Sequence, residues 1–404
     1  MLSGGRATRW EAADGNYALW AITSRNGLPT AAVLTVVKRL LVVGLMIVSA
    51  CGPVVKAGPA GSPSTSSASA TATASAGKPS GSLACRLPLA HFENSADYSG
   101  GIPQAAFVTF PVAVLTIDPT GAFGVPAPNG LVRSVAQPYL YGDPGVATFT
   151  RRYSRWLPAS IAAVSPDSSR YAYAESYAGA DGPRSRIHLV DVTSGADQVV
   201  YDQGFYGVMD YESEGIYLFS IGYADAPNSG LWRLNPQARS LTQIASQNLT
   251  IDYVGGGAAW YSDLAPGDQV PPSVEGMAQA FFRDRVLRLD LKTRVASPWF
   301  RRPGKQVAAI GVDGLGHPIV TVSSTVDSAT TTSEELWLVT APGVGKQIYS
   351  GPGSNSPDFV GFGTPLADGH GLWFGSSKGV FLYTPDAQFQ MVSTAVGEVA
   401  GRCS

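Results

Sequence analysis

RIHLVDVTSG (186–195) is a short apolar strand that runs into a polar turn, and four later segments repeat its pattern: GLWRLNPQAR (230–239), RVLRLDLKTR (285–294), ELWLVTAPGV (335–344) and GVFLYTPDAQ (379–388). The copies begin 44, 55, 50 and 44 residues apart, and four of the five continue into a second β-rich stretch: QVVYD, LTQIA, ASPWF and KQIYS. Each copy is preceded by a hairpin of its own, in the series IAAVSPDSSRYAYAE (161–175), FYGVMDYESEGIYLFS (205–220), LTIDYVGGGAAWYSD (249–263), VAAIGVDGLGHPIVTV (307–322) and FVGFGTPLADGHGLWFG (359–375). In each, an apolar strand meets a Gly, Asp or Ser turn and returns as an aromatic or aliphatic strand. Two strands followed by two strands predict a four-stranded antiparallel unit, repeated along the chain.

Strands alone can also build a sandwich, but a regular period of this length favours radial repetition, an all-β fold of the β-propeller type. Five blades are explicit. VGEVAGRCS (396–404) reads as a further innermost strand after which the chain stops, so its partners have to come from the other end. FVTFPVAVLTIDP (107–119), PYLYGD (138–143) and FTRRYSRWLP (149–158) are the candidates. A ring whose last blade is shared between N- and C-terminal strands has no open edge. The expectation is six four-stranded blades, with seven as the alternative if residues 85–158 hold more strands.

SPDSSRYAY followed by IHLVDVTSG resembles a blade of the TolB-like (WD40-like repeat) propellers, whose repeats carry an S-P-D-G-x-x-[IL]-A-[YF] turn. Ser165, Pro166 and Asp167 match that turn, and Ser168 stands where the family favours Gly. The other four repeats keep only the pattern. The resemblance implies the fold of residues 85–404 and carries little about function.

Ahead of the repeats lies VKRLLVVGLMIVSAC (37–51). Lys38 and Arg39 form a short positive region, and Leu40–Val48 an apolar run of secretory length. Val48-Ser49-Ala50-Cys51 resembles the lipobox of bacterial lipoproteins, which implies a lipidated (palmitate-bearing) Cys51 at the start of the mature chain. A transmembrane anchor is the alternative, but Leu40–Ala50 is short for a span. Residues 1–36 are polar and unpatterned and read as an extension from a start placed too early. Residues 37–50 are then the signal peptide. Residues 51–84 form a tether, since Gly52–Ser82 is almost wholly Gly, Ala, Ser, Thr and Pro and has too little apolar surface to order itself.

Removing residues 1–50 leaves 23 basic against 28 acidic side chains. That balance argues against a nucleic-acid partner. Once Cys51 is lipidated, Cys85 and Cys403 remain as a pair at the two ends of the domain. Outside the cytoplasm such a pair suggests a disulfide. Two free thiols or a metal site are the alternatives, and two cysteines make a poor site.

Chemistry is sparse in this sequence. The four histidines, His91, His188, His317 and His370, have no zinc-ligand spacing, and neither an H-E-x-x-H nor a G-x-S-x-G motif occurs. The acidic turns at Asp313 and Asp368 lack the density of a calcium loop. Neither a metal nor a cofactor is expected. His317 and His370, in Gly-rich turns, and Arg152 and Trp156, in the basic-aromatic run 151–156, are the candidate binding residues. Strand alternation would put Arg152, Ser154 and Trp156 on one face, there to grip a carboxylate, phosphate or sugar or to cover a neighbouring blade.

Insertions at Ser262–Ala280 and Ser323–Glu334, with shorter ones at Tyr177–Pro183 and Gly222–Ser229, all fall between the second and third strands of their blades. They therefore emerge on one face, where binding residues concentrate. The function these features favour is a monomeric, membrane-anchored, extracytoplasmic lipoprotein whose propeller binds an envelope protein, peptide or glycan. The alternative is an exported propeller enzyme of the lyase, glycosidase or quinone-dependent dehydrogenase type, with its site in the channel mouth.

Overall fold

The computed structural model describes residues 8–11, 18–21, 83–93, 103–120, 124–126, 132–134, 148–180, 182–221, 229–246, 248–274, 278–326 and 330–404. The chain divides into two units, Met1–Glu11 with Ala18–Thr73 and Ala12–Tyr17 with Ala74–Ser404. In the first, the described part is one antiparallel hairpin, β1 (Thr8–Glu11) with β2 (Ala18–Ala21). The expected signal peptide, Cys51 and the expected tether as far as Ser82 lie outside the described residues. No helix among the described residues is long and apolar enough to cross a membrane.

The second unit opens with β3 (Arg86–His91), β4 (Gln104–Thr109) and β5 (Val114–Ile117). Two separate hairpins follow, β6 (Gly124–Pro126) with β7 (Val132–Ser134) and β8 (Thr148–Thr150) with β9 (Arg155–Leu157). Blade one is β10 (Arg170–Gly179), β11 (Gly182–Asp191) and β12 (Asp197–Tyr201). Blade two is β13 (Tyr206–Glu212), β14 (Gly215–Ser220), β15 (Ser229–Asn235) and β16 (Ser240–Ala245). Blade three is β17 (Ile251–Gly255), β18 (Ala258–Asp263), β19 (Arg285–Asp290) and β20 (Ala296–Arg301). Blade four is β21 (Gln306–Val312), β22 (Pro318–Thr325), β23 (Thr331–Ala341) and β24 (Val344–Pro352). Blade five is β25 (Leu366–Asp368), β26 (Gly371–Phe374), β27 (Val380–Tyr383) and β28 (Phe389–Ser393). The last strand, β29 (Gly397–Val399), completes blade six in the order β29-β3-β4-β5.

Alternation along each strand sends apolar side chains to both faces of a blade, so every seam between consecutive blades carries its own core. Ile187 and Leu189 of blade one meet Ile216, Leu218 and Leu234 of blade two. Tyr217 and Leu231 meet Ala259 and Tyr261, and Trp260 and Val286 meet Val320 and Val322. Ile319 and Leu336 meet Leu372 and Phe374, and Trp373 and Leu382 meet Leu87, Leu89 and Val108. The innermost strands of blades two, three and four each carry a bulge, after Val208, Ile251 and Ala309. An extra residue there bends and twists the strand.

Three expectations about strands are corrected. Residues 149–158 are not a strand of the shared blade but the separate β8–β9 hairpin, and β3 takes the place expected for it; PYLYGD (138–143) lies outside the described residues. The leading strand of blade one is reduced to a 3-10 turn at Ile161–Ala163 and one bridge, Val164 to Tyr171. In blade five, residues 359–363 give only the bridge of Phe362 to Ser376, and the paired strand starts at Leu366.

Closure follows the expected route. A disulfide joins Cys85 to Cys403, with Cα atoms 5.5 Å apart and both residues buried in the core between blades five and six. Arg86 and Ser404 exchange backbone hydrogen bonds of 2.9 and 3.2 Å beside it.

The turn that carries the TolB resemblance also has a physical reading. Asp167 accepts hydrogen bonds from the Ser169 amide (3.0 Å) and the Ser165 hydroxyl (2.8 Å), which lower its pKa to about 2. Ser168 sits at φ 60°, a region that a Cβ disfavours. Ser168→Gly is therefore expected to raise stability by up to about 1 kcal/mol, read as a higher urea midpoint. An unchanged or lower midpoint would count against the strain.

Candidate functional site

The antiparallel order of each blade sorts its connections onto two rims. First-to-second and third-to-fourth turns share the lower rim, while second-to-third connections and the crossings to the next blade share the upper rim. On the upper rim the longest described connection is residues 264–284 of blade three, between β18 and β19. Val274 and Phe282 are buried within it, against Leu264 and Val270, so this loop has a small core of its own.

Ion pairs fasten its base. Asp263 takes the Arg285 guanidinium on both carboxylate oxygens, one at 2.7 Å. The Asp284 carboxylate accepts from the Ala265 amide at 2.8 Å, and Arg301 reaches across to Asp268. Burial pushes the Asp284 carboxyl up, while Asp284 and the Arg301 guanidinium beside it hold Asp268 down. The described parts of this connection, residues 264–274 and 278–284, are thus fastened to the blade without a ligand.

The expected insertion at Ser323–Glu334 is mostly strand: β22 and β23 lengthen through it, leaving residues 326–330 as the connection. Likewise Tyr177–Pro183 is the end of the β10–β11 hairpin, and residues 222–228 lie outside the described residues. At the seam between blades four and five, burial raises the Glu334 carboxyl to about 7. Its Oε2 has no hydrogen-bond partner. The same cause raises Asp252 to about 7, on the inner strand of blade three, where it accepts from the Ala309 amide of blade four. Asp210, buried on the inner strand of blade two, is pushed well up as well.

The four residues singled out in the sequence are not brought together. Arg152 and Trp156 belong to the β8–β9 hairpin, whose turn at Arg151–Ser154 replaces the alternating strand expected there. This hairpin ties blade six to blade one. Trp156 and Phe149 lie on Phe107 with ring centroids 5.4 and 5.0 Å apart, and the Trp156 indole N–H donates to Asp118 at 3.0 Å. Arg152 and Arg155 donate to the carbonyls of Asp167 and Val192, both at 2.6 Å. His317 and His370 sit in lower-rim turns, bonded through Nδ1 to Asp313 at 2.9 Å and Asp368 at 3.3 Å. Both carboxylates also accept backbone N–H groups of their own turns.

One cluster was not anticipated. On the face of blade one turned away from blade two, Tyr173 stacks on His188 at 4.5 Å. The His188 ring nitrogens contact Asp197 at 2.8 Å and Glu175 at 3.2 Å, and the Arg186 guanidinium lies over Tyr177. The alternation of Tyr171, Tyr173 and Glu175 in YAYAE was the available signal, since it marks one polar-aromatic face.

Five consecutive blades and a sixth shared between the chain ends define a β-propeller closed by its own termini. No protein-family model matches the sequence, and no curated protein does. Among solved structures it is similar to TolB from Acinetobacter baumannii, with 10% identity over 76% of this chain and 63% of that one and a TM-score of 0.37. It is also similar to the periplasmic gluconolactonase PpgL of Pseudomonas aeruginosa, with 14% identity, 76% and 81% coverage and a TM-score of 0.36. The β-propeller domain of the Trilobed protease from Pyrococcus furiosus gives 9% identity, 71% and 73% coverage and a TM-score of 0.35. The chain spans less than two thirds of the TolB it resembles. Likeness at this level concerns the fold alone.

Proposed function

We propose that this protein is a lipid-anchored extracytoplasmic binding module, held to the membrane through Cys51, whose upper rim takes an envelope protein, peptide or glycan. The observation that carries the reading is the connection 264–284, whose described residues have a core of their own and ion pairs at their base, on the rim where the blade-to-blade crossings also lie. Ordering paid before binding is not charged to the complex. The Cys85–Cys403 disulfide supports an oxidising compartment.

One experiment in cells tests both parts. A photo-crosslinking residue is placed at Gln269, exposed on the lobe, or at Leu315, 82% exposed on the lower rim. The protein is expected in the membrane fraction, to be released by Cys51→Ser, and to form adducts from position 269 and none from 315. Adducts from 315 alone would reject the rim, and a wild-type protein recovered outside the membrane fraction would reject the anchor.

A further inference from the structure

The reading of the upper rim can be taken one step further, to a ligand chemistry. The mature chain is acidic overall, yet Arg283, Arg285, Arg301, Arg302 and Lys305 gather where blade three crosses to blade four. Backbone hydrogen bonds hold them together: Arg302 N–H to the Asp284 carbonyl (2.8 Å), Lys305 N–H to the Arg302 carbonyl (3.1 Å) and Val307 N–H to the Arg283 carbonyl (2.8 Å). Of the nearby carboxylates, Asp263 is engaged by Arg285 and Asp268 by Arg301, Asp284 takes the Ala265 amide on one oxygen with Arg301 3.8 Å from the other, and Glu335 accepts from the Trp337 indole N–H at 2.7 Å.

Among the described residues, Arg302 and Lys305 reach no carboxylate. The Arg302 guanidinium carbon lies over the Trp337 ring at 3.9 Å and over the Phe300 ring at 4.7 Å, contacts that restrict the side chain. Lys305 donates to the Ser324 hydroxyl, which is itself 2.7 Å from that of Ser333. Two cations three residues apart on one turn, one of them bonded to a pair of hydroxyls, thus lie on this crossing without a carboxylate partner. That donor set suits a phosphate, whose several oxygens accept from a planar fork, an ammonium and a hydroxyl at once.

We propose that this seam is a phosphate-binding site, with Arg302 and Lys305 as its cations and Ser324 as a hydroxyl donor, and that it recognises phosphate groups carried on an envelope polymer. It rests on the reading of the upper rim as the ligand face.

The test is calorimetric titration of the full chain with short-chain polyphosphate and with inorganic phosphate, at low and high salt. Saturable polyphosphate binding that weakens with salt is expected, together with a loss of at least about tenfold in the Arg302→Ala/Lys305→Ala double variant. Arg302→Lys keeps the charge but loses the stacked fork and is expected to fall between. Tighter binding of polyphosphate identifies a polymeric source, and equal binding per phosphate identifies free phosphate at the same site. Lys378→Ala, which removes a cation bonded to the Pro357 carbonyl at 2.6 Å elsewhere on this rim, is expected to bind as wild type.

Should the double variant fail to fold, Lys305→Ala alone carries the test, with a severalfold loss expected. The proposal is overturned if neither probe binds saturably, if the folded variants bind as wild type, or if Lys378→Ala weakens binding equally, which would mean diffuse attraction. Cross-links from Gln269 without phosphate binding would reject this site and leave the rim reading standing. Phosphate binding without such cross-links would do the reverse.

Discussion

Reducing the Cys85–Cys403 disulfide, or replacing both cysteines by alanine, is expected to cost up to about 5 kcal/mol of stability, because the bond closes a loop of 318 residues in the unfolded chain. For a domain of this size that is a fall of roughly 7 °C in Tm. The native contacts around the bond do not run through it and are expected to survive its removal. Leu87, Leu89 and Val399 still pack on Trp373 and Leu382, and the Arg86–Ser404 backbone pair remains. The loss therefore reflects the freedom returned to the unfolded chain, with the ring still able to close. Thermal unfolding with and without reductant measures it. Equal midpoints would show that blade six is held by its strand pairing and core alone.

That closure was legible only in part, and the reason lies in β3. RLPLAH carries Pro88 in its middle, a residue that argues against a strand inside a sheet. Here it pairs with Phe107 on one side, while on the other its carbonyl accepts from the Ala400 amide at 3.0 Å. The five repeats were readable because each is a local hairpin with its own turn chemistry. The outer strand of blade five, FQMVS, was passed over because its apolar residues are interrupted by Gln390. The rim insertion showed as a length. The bonds that order it did not, since Asp268 meets Arg301 33 residues away and Asp284 meets Ala265 across 19. Sequence spacing carries no trace of such pairs. The Arg152–Trp156 run was conspicuous for a different reason: a hairpin that must seal a seam needs both a large apolar ring and long donors.

Least legible were the buried acids, because the burial comes from a neighbouring blade; Asp252 is capped by the amide of Ala309, 57 residues on. Their effect on stability has a definite sign. Burial raises Asp252 from an ordinary carboxylate value to about 7 and Glu334 likewise to about 7, with Asp210 pushed in the same direction. The folded protein then holds protons that the unfolded chain has released between about pH 4 and 7. The stability these groups allow is fully present below pH 4 and is lost as pH rises toward 7, opposite to the usual carboxylate pattern. The rise at Asp252 from an ordinary carboxylate value to about 7 sets a ceiling of about 4 kcal/mol, lowered because the residue keeps some contact with solvent. Surface carboxylates such as Asp167 and the half-buried Asp290, both near 2, act only at more acid pH. Urea unfolding is therefore expected to give a higher midpoint at pH 5 than at pH 7.5. Asp252→Asn with Glu334→Gln, which keep the side-chain shapes while removing the titration, are expected to abolish most of the difference. A wild-type midpoint that rises from pH 5 to 7.5 would mean that these carboxyls ionise at ordinary values, and that water reaches the seams between the blades.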